Sequence, residues 1–377
     1  MTHIYLIAGE ASGDILGAKL MKALKVHQPD LVFSGIGGAN MQEQGLKSLF
    51  PMKELSVMGL IEIIPKIFHF KKLIKETMAD IKSKKPDLVI TIDSPGFNKR
   101  VARGLQPRTI PLVHYVAPSV WAYRPGRAKT MAQLYDLLLA LLPFEPAYFL
   151  PHGLRTVWVG HPVVEDPRGD GLAFRKKHGI AMHVPVLGVF VGSRLGEVQR
   201  LLPIYKEALA LVKAKIPEFH VLVVTMPHLV ATLEPSLTSL DLPMTLITDS
   251  HERMNAMAAC SAALTKSGTV TVELARQQIP MVVAYKMNPL TAMIARWMLS
   301  IKYASLVNII LDRLVIPECI QDDCTPERLS HQVITLLSDQ SVWNDQRQGM
   351  KEALQKMGLD APKLPSENAA LAVLAML

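Results

Sequence analysis

The stretch His3-Ile-Tyr-Leu-Ile-Ala-Gly-Glu-Ala-Ser-Gly-Asp14 opens the chain with an apolar run and a turn of small residues. The run Ile4–Ala8 does not alternate with polar residues, which predicts a strand buried on both faces of a parallel sheet. A glycine turn at such a strand end often holds phosphate. This turn has no lysine and carries Glu10 and Asp14, and two carboxylates would repel a phosphate. The turn therefore favours binding a hydroxyl group, or removing its proton.

Further strand-length apolar runs alternate with helical stretches along the chain, which predicts βαβ units. These runs are Leu31–Ile36, Leu88–Ile92, Pro111–Val116, Leu137–Leu141, Thr156–Val159, Val186–Val191, His220–Val224, Met244–Ile247, Ala262–Leu264 and Met281–Tyr285. The Pro-, Gly- and Asp-rich stretch His161–Gly171 is typical of a linker. We predict two doubly wound α/β domains, residues 1–165 and 166–345, followed by C-terminal helices over 346–377. Ligands are expected in the cleft between the domains, outside the carboxyl ends of the strands.

Composition narrows the class of protein. The chain has 377 residues and a net charge of +8, so two domains and an anionic partner are expected. Three cysteines make neither a disulfide framework nor a metal site. There is no P-loop, no dinucleotide-binding fingerprint and no basic-aromatic platform for nucleic acid. No metal or cofactor is therefore expected. We also expect a cytoplasmic protein, because no signal peptide or spanning helix is evident.

Two turns in the second half favour phosphate binding. Gly192, Ser193 and Arg194 follow a strand and precede a helix, and so do Ser267, Gly268 and Thr269. Backbone N–H groups at such turns attract anions, and a pair of turns suits a nucleotide diphosphate. Glu273, about one helical turn further on, could bind the ribose hydroxyls. The alternatives are an ordinary helix cap with a solvated Glu273, and a surface Arg194 paired with a nearby glutamate.

The first half carries candidate acids at strand ends. Asp93 follows the predicted strand Leu88–Ile92, and Pro95 and Gly96 form a turn after it. Asp93 or Glu10 could remove a proton from an acceptor hydroxyl; an Asx-turn is the alternative for Asp93. For Asp14, a charge at a helix N-terminus is favoured. Four side chains near these strand ends are assigned to the acceptor, namely Ser12, Asn98, His114 and Trp121. For the stretch that carries His114 and Trp121, a packed loop is an equal alternative.

The segment 55–75 contains the most apolar helical stretch, and lysines lie in its C-terminal half, at Lys66, Lys71, Lys72 and Lys75. Such a segment is typical of an interfacial membrane element, but a buried crossover helix would look the same. Charged substitutions at Ile61 and Ile64 distinguish the two: loss of membrane association without unfolding favours the membrane, and loss of folding favours the buried helix.

Together these stretches resemble the lipid-A-disaccharide synthase family of Gram-negative bacteria. The matching stretches, in the family's order, are Gly9–Asp14, Gly35–Gly38, Ser56–Gly59, Ile92–Asn98, Pro118–Trp121, Gly160–Pro162, Gly192–Arg194, Lys266–Thr269 with Glu273, and Ser305–Asn308. Small departures occur at Phe190-Val191, at Val307 and at Glu318-Cys319-Ile320-Gln321. They leave the residues of the expected chemistry unchanged.

The resemblance implies a GT-B fold, with two Rossmann-like domains and a C-terminal helix that returns to the first. It implies an inverting, metal-independent transfer from UDP-2,3-diacylglucosamine to 2,3-diacylglucosamine 1-phosphate (lipid X), which releases UDP, at the cytoplasmic face of the inner membrane. The family's functional residues map onto Glu10, Asp93, Arg194 and Asn308, with Glu273 at the donor ribose. Asp93 is then the base, with Glu10 as the alternative, and Arg194, Ser267–Thr269 and Asn308 stabilise the leaving UDP.

Two rivals remain: another GT-B enzyme on a UDP-sugar, either a glycosyltransferase or an epimerase, and a lipid-binding protein that kept the fold. A homodimer is left open.

Overall fold

A computed structural model describes residues 1–55, 67–288, 291–293, 298 and 301–377. The chain divides into two compact units, one of Met1–Pro162 with Asp360–Leu377 and the other of Val163–Leu359. The first division falls a few residues before the boundary expected from the linker composition.

The first unit contains, within the described residues, a seven-stranded parallel sheet. Its strands are β1 (His3–Ala8), β2 (Val32–Ile36), β3 (Lys47–Ser48), β4 (Leu88–Ile92), β5 (Leu112–Tyr115), β6 (Leu137–Ala140) and β7 (Arg155–Trp158). Their order in space is β3-β2-β1-β4-β5-β6-β7. The chain thus winds outward from β1 and then, after β4, in the opposite direction. The carboxyl ends of β1 and β4 meet at this switch point, where doubly wound sheets bind ligands.

Helices cover both faces of this sheet. They are α1 (Ala11–His27), α2 (Ala39–Glu43), α3 (Ile67–Lys84), α4 (Pro95–Gly104), α5 (Arg127–Ala132) and α6 (Pro146–Phe149). One face packs the apolar side of α1 and the other packs α3, α4 and α5, so the strands are apolar on both faces, as continuous apolar runs predict.

The second unit repeats this plan with a six-stranded parallel sheet in the part of the chain that is described. Its strands are β8 (Val186–Phe190), β9 (His220–Val224), β10 (Met244–Ile247), β11 (Ala262–Lys266), β12 (Met281–Tyr285) and β13 (Glu318–Ile320), in the spatial order β10-β9-β8-β11-β12-β13. Its helices are α7 (Gly171–Lys177), α8 (Leu195–Lys215), α9 (Val230–Thr238), α10 (Arg253–Ala258), α11 (Val270–Arg276), α12 (Leu306–Leu311), α13 (Pro326–Ser338) and α14 (Gln340–Lys356). The β8–β11 pair is the switch point here, and both predicted phosphate turns follow these two strands.

The chain returns to the first unit through the last helix, α15 (Pro365–Leu374). Ala369, Ala370 and Val373 of α15 are fully buried in the core that α1 also lines. The expected division after residue 345 falls inside α14, which belongs to the second unit because Trp343 Nε1 donates to Ser261 O at 3.0 Å. The structure thus puts residues 346–359 with the second unit and not with the first.

Every strand expected from an apolar run is present, with ends that differ by at most two residues. Two strands were not anticipated, β3 with 2 residues and β13 with 3. Both lie at sheet edges, and segments this short leave no apolar run to recognise.

Most of the segment predicted to contact a membrane, residues 56–66, lies outside the described residues. Its C-terminal part is the start of α3, where Phe68 is 82% exposed while Leu73 and Ile74 are buried. In the described part of the chain, no helix combines the length and the apolarity that crossing a bilayer requires.

Candidate functional site

The two acidic turns of the first unit lie side by side. β1 and β4 are paired in register, with Ala8 opposite Ile92, so the turns that follow them are neighbours. A Cβ atom added to Gly9 would overlap the side chain of Ser94. Glycine is therefore required at this close approach. Glu10 follows Gly9, and Asp93 precedes Ser94. The close approach of the two turns therefore brings Glu10 and Asp93 to the same edge of the sheet.

Asp93 is held by its backbone. Its N–H donates to Tyr115 O at 2.9 Å, and its carbonyl accepts from Asn98 Nδ2 at 2.7 Å. Asp93 and Ser94 have φ of +47° and +41°, a conformation that non-glycine residues rarely adopt and that clusters at functional sites. Burial raises the pKa of the Asp93 carboxyl, and the Ser94 N–H opposes this in part. A carboxylate with a raised pKa is a stronger base.

The side chain of Asn98 stabilises the turn that contains Asp93. Its side chain is fully buried and also donates to Ile92 O at 3.1 Å. Both amide protons therefore serve the backbone on either side of Asp93. Asn98 thus positions Asp93 through its amide nitrogen, and its contact with an acceptor stays a prediction.

Asp14 has a structural role. Its buried carboxylate accepts from the backbone N–H groups of Gly38 at 2.8 Å, Asn40 at 3.0 Å and Met41 at 3.0 Å, and from Asn40 Nδ2 at 2.8 Å. It thereby caps the start of α2 rather than its own helix. One of the two acids in the opening turn therefore joins β1 to the glycine-rich stretch after β2. Glu10, the other acid of the turn, is half-buried.

The other predicted acceptor residues differ in exposure. Ser12 is exposed in the first turn of α1. His114 is buried, its Nδ1 is 2.7 Å from Thr91 Oγ1, and its ring packs on Tyr135 with centroids 4.9 Å apart. Burial, with a contribution from Arg127, lowers the pKa of His114 to about 3. His114 is therefore neutral near pH 7 and cannot act as a cationic anchor.

Trp121 contacts a buried acid, Glu145, that sequence patterns did not reveal. Its Nε1 donates to Glu145 Oε1 at 3.4 Å. Glu145 Oε2 accepts from the N–H groups of Leu141 and Leu142, each at 3.0 Å. Burial raises the pKa of Glu145 to about 7, although these three donors oppose the shift. Nothing in a lone glutamate after Leu-Leu-Pro-Phe indicates burial, because the burial comes from the chain folding back over it.

This raised pKa predicts a pH-dependent stability. The folded protein binds the Glu145 proton more tightly than the unfolded chain, whose pKa is near 4.5. Stability should thus decrease as the pH rises from about 4.5 to about 7 and change little from this group above that range. In Glu145→Gln the decrease should be smaller, measured by urea unfolding at pH 5, 6 and 8. The same decrease in both proteins would show that Glu145 is not its source.

In the second unit, the turn after β8 lies at the N-terminus of the long helix α8. Gly192 has φ of +115°, and Ser193 and Arg194 are exposed. Arg194 is the N-cap residue, and its Nη1 lies 3.9 Å from Glu197 Oε1 with 67% of its side chain exposed. The pairing with Glu197, one of the alternatives above, is thus present but long. It leaves the guanidinium at an anion-attracting helix end.

Lys266 joins the two phosphate turns. Its Nζ donates to Glu197 Oε1 at 3.1 Å and lies 5.6 Å from the centre of the Tyr285 ring. The residue ends β11 and immediately precedes Ser267, so its ammonium lies between the turn after β8 and the turn after β11. Sequence reasoning left Lys266 out of the site although it belongs to a matching motif.

The turn after β11 borders a cavity of about 550 Å³. Ser267 Oγ donates to Ala304 O at 2.8 Å, while Gly268 and Thr269 are exposed before α11. The cavity is lined by Lys266, Ser267, Tyr285, Met287, Ala292, Ile301, Lys302, Tyr303, Ala304, Glu318, Ile320 and Gln321. It combines cations with aromatic rings at the carboxyl ends of β11 and β12, which suits an aromatic anion such as a nucleotide.

Glu273 is ion-paired rather than solvated. Its Oε2 accepts from Arg253 Nη2, and the two side chains are 28% and 30% exposed. The pairing fixes the carboxylate on α11, about one turn beyond Thr269, and part of it stays open for a ligand hydroxyl.

The side chain of Asn308 makes all of its hydrogen bonds within the protein. It is fully buried; its Nδ2 donates to Ile316 O at 2.8 Å and Glu318 Oε1 at 2.7 Å, and its Oδ1 accepts from Val315 N and Ile316 N, both at 2.9 Å. Every hydrogen-bonding position of the amide is occupied. The expected contact with the leaving group is therefore corrected: Asn308 holds the loop between α12 and β13.

No group of three potential metal ligands occurs among the described residues.

Comparisons with known proteins show the family to which this sequence belongs. The family model described as Lipid-A-disaccharide synthetase matches residues 4–372. The chain belongs to this family. The lipid-A-disaccharide synthase of Paramagnetospirillum magneticum is 47% identical over 98% of this chain and 96% of its own length. That of Rickettsia bellii is 42% identical over 97% of both chains. The resemblance expected from the motifs is thereby confirmed, and with it the glycosyltransferase class.

Solved structures of more distant proteins share the fold. Staphylococcus aureus MnaA, in a co-structure with UDP, has a TM-score of 0.66 at 14% identity, covering 99% of this chain and 95% of its own. The UDP-GlcNAc 2-epimerase of Neisseria meningitidis has a TM-score of 0.64 at 13% identity, covering 100% and 99%. The predicted fold class of two Rossmann-like α/β domains of the GT-B type is confirmed for this member of the lipid-A-disaccharide synthetase family.

Proposed function

We propose that this chain transfers 2,3-diacylglucosamine from its UDP derivative to the 6-hydroxyl of lipid X. The observation that supports this most strongly is the family match over nearly the whole chain, combined with a half-buried carboxylate of raised pKa, Asp93, at the switch point of the first sheet. The products are UDP and a β-1,6-linked disaccharide that keeps the acceptor's phosphate.

On the acceptor side, the Asp93 carboxylate takes the proton of the 6-hydroxyl. The freed oxygen attacks the anomeric carbon of the donor, the bond from that carbon to the diphosphate oxygen breaks, and the configuration inverts. Asn98 and the Tyr115 carbonyl hold Asp93 for this step. Glu10, on the neighbouring turn, is the alternative base.

On the donor side, we assign the cavity of about 550 Å³ beside Lys266 to the UDP moiety. Negative charge develops on the diphosphate as the bond breaks. That charge would be stabilised by Lys266, by Arg194 and by the N–H groups of Gly192, Ser193 and Gly268. Ser267 and Thr269 shape the turn, and Glu273 would accept from the ribose hydroxyls. Distant neighbours bound to UDP or a UDP-sugar support this assignment.

The deciding experiment mixes the purified chain with UDP-2,3-diacylglucosamine and lipid X in EDTA and follows products by mass spectrometry. The proposal expects a disaccharide monophosphate and one UDP per disaccharide. Turnover of a soluble, unacylated UDP-sugar without that product would favour another UDP-sugar enzyme. Binding of acylated sugars without UDP release would favour a lipid-binding protein.

We further propose that the chain works at the cytoplasmic face of the inner membrane and that its apolar segment contacts the lipid. In the described part, Phe68 supports this because its ring is 82% exposed beside Lys71 and Lys72. An exposed aromatic ring with adjacent lysines is typical of membrane-surface elements.

Replacing Phe68 by glutamate should therefore reduce binding to anionic vesicles several-fold, measured by co-sedimentation, with an unchanged melting temperature. Phe70→Glu is the matched comparison, because Phe70 packs edge-on against Phe97 at 5.4 Å and its replacement should destabilise the protein. Undiminished vesicle binding by the Phe68 variant would argue against contact at this point.

A further inference from the structure

The first unit has a second feature near Asp93, a cavity of about 440 Å³ whose lining is strongly basic. Five cationic side chains line it, namely Lys99, Arg100, Arg103, Arg124 and Arg127. They come from helix α4, from the loop before α5 and from α5 itself. No aspartate or glutamate is among the described lining residues. The volume lies within the roughly 300–1,000 Å³ of small-molecule sites.

Among the described residues, these five cations have no carboxylate as an ion-pair partner. No salt bridge within 4.0 Å joins any of the five to a carboxylate among the described residues. Arg100 donates to the Gly96 carbonyl and Arg124 lies over the Tyr123 ring, 4.9 Å from its centre. Burial lowers the pKa of Lys99, and the charges of three neighbouring arginines add to this. Like charges gathered this closely raise the energy of the empty site, and an anion would relieve it.

The cavity lies beside the proposed base. Pro95 and Gly96, which line it, are the first residues of α4 after the turn that holds Asp93. His114, at the end of the neighbouring strand β5, also lines it and is neutral. Pro95 and Gly96 thus connect the wall of the cavity directly to the turn that contains Asp93. An acceptor that carries both a nucleophilic hydroxyl and an anionic group could reach both features with one molecule.

We propose that this basic cavity binds the anomeric phosphate of the acceptor, so that the pyranose ring spans from the cavity to Asp93. The inference rests on the proposed function. A phosphate monoester has up to two charges and three acceptor oxygens, and guanidinium groups bind such oxygens in pairs. Diester headgroups of membrane lipids have one charge and two free oxygens. The cavity therefore determines which sugar is the acceptor, whereas the donor has no free monoester.

The test compares two acceptors and two proteins. The acceptors are lipid X and 2,3-diacylglucosamine, which differ only in the phosphate. The proteins are wild type and the double variant Arg103→Gln/Arg127→Gln. Lys129→Gln is the matched control, because Lys129 is an exposed cation on α5 that does not line the cavity. The ratio of kcat/KM for lipid X to that for the dephosphorylated acceptor should fall about 10²-fold in the double variant. It should not change in the control.

A second measurement separates the phosphate site from the transfer reaction. Glucosamine 1-phosphate should bind wild type more tightly than glucosamine does, by titration calorimetry, and the double variant should lose this difference. If wild type shows the difference but no transfer, the phosphate site stands and the proposed function fails. If the double variant keeps the difference, or loses kcat/KM equally for both acceptors, the phosphate site is wrong. Loss of binding to phosphatidylglycerol vesicles with an unchanged acceptor ratio would assign the cavity to membrane headgroups and also overturn the proposal.

Discussion

Replacing Asp93 by asparagine should lower kcat by about 10²–10⁴-fold, the usual contribution of a general base. UDP binding should be unchanged, because the donor residues lie in the other unit. Asparagine tolerates the φ of +47° at this position, so the turn should persist. UDP release gives kcat, and titration calorimetry gives the affinity for UDP.

The stability of this variant separates a catalytic role from a structural one. The folded-state pKa of Asp93 is raised above its ordinary 3.8. Ionisation of Asp93 therefore reduces folded stability as the pH rises above 3.8, and the full reduction is present above the folded-state pKa. Asparagine removes this ionisation. Near pH 8 the variant should melt at the same temperature as wild type or higher, although it is nearly inactive.

The pH profile of the wild-type enzyme should agree with this. The base must be deprotonated, so kcat/KM should fall as the pH decreases through the raised pKa of Asp93, at a pH above 3.8. Glu10→Gln is the companion variant, with its acid on the neighbouring turn. If Asp93→Asn retains activity and Glu10→Gln loses it, the base is Glu10 and Asp93 is a structural residue.

The fold was largely predictable because its strands carry an unusually simple signal. β1, β4 and β8 are buried on both faces, so they appear in the sequence as uninterrupted apolar runs between turns. Strand order could be approached through connectivity rules, since short βαβ crossovers keep successive strands adjacent. Edge strands such as β3 and β13 and the return of α15 to the first unit depend on distant contacts, which leave little local trace.

The site was predictable only in part, for a physical reason. Asp93 and Glu10 follow long buried strands, and the position of a strand end predicts where its next residues point. Asp14 lies in the same turn and has the same chemistry, yet its four donors come from residues 38 to 41. The basic cavity was likewise invisible, because Lys99 and Arg127 are far apart in sequence and each resembles an ordinary solvated cation. Partners distant along the chain decide between structural and functional polar residues.

Asn308 is another polar residue whose structural role could not be distinguished from a functional one in the sequence. Its replacement by alanine should destabilise the second unit by about 3–5 kcal/mol. The change removes four hydrogen bonds, of which two are buried and two partly buried. It leaves the N–H groups of Val315 and Ile316, the Ile316 carbonyl and one bond of Glu318 without their partner. Each unsatisfied buried group costs about 1–3 kcal/mol, partly recovered by relaxation. Urea unfolding measures the loss.

Asn344→Ala is the matched control, because Asn344 is exposed on α14 in the same unit and its change should stay within about 0.5 kcal/mol. At low temperature, where Asn308→Ala is still folded, its affinity for UDP should remain within a few-fold of wild type, since the amide contacts only the protein. Glu318 bonds to Asn308 and also lines the donor cavity, so a small loss of affinity is the expected indirect effect. A variant of normal stability that had lost UDP binding by 10²-fold would instead return Asn308 to direct contact with the leaving group, as the family resemblance first implied.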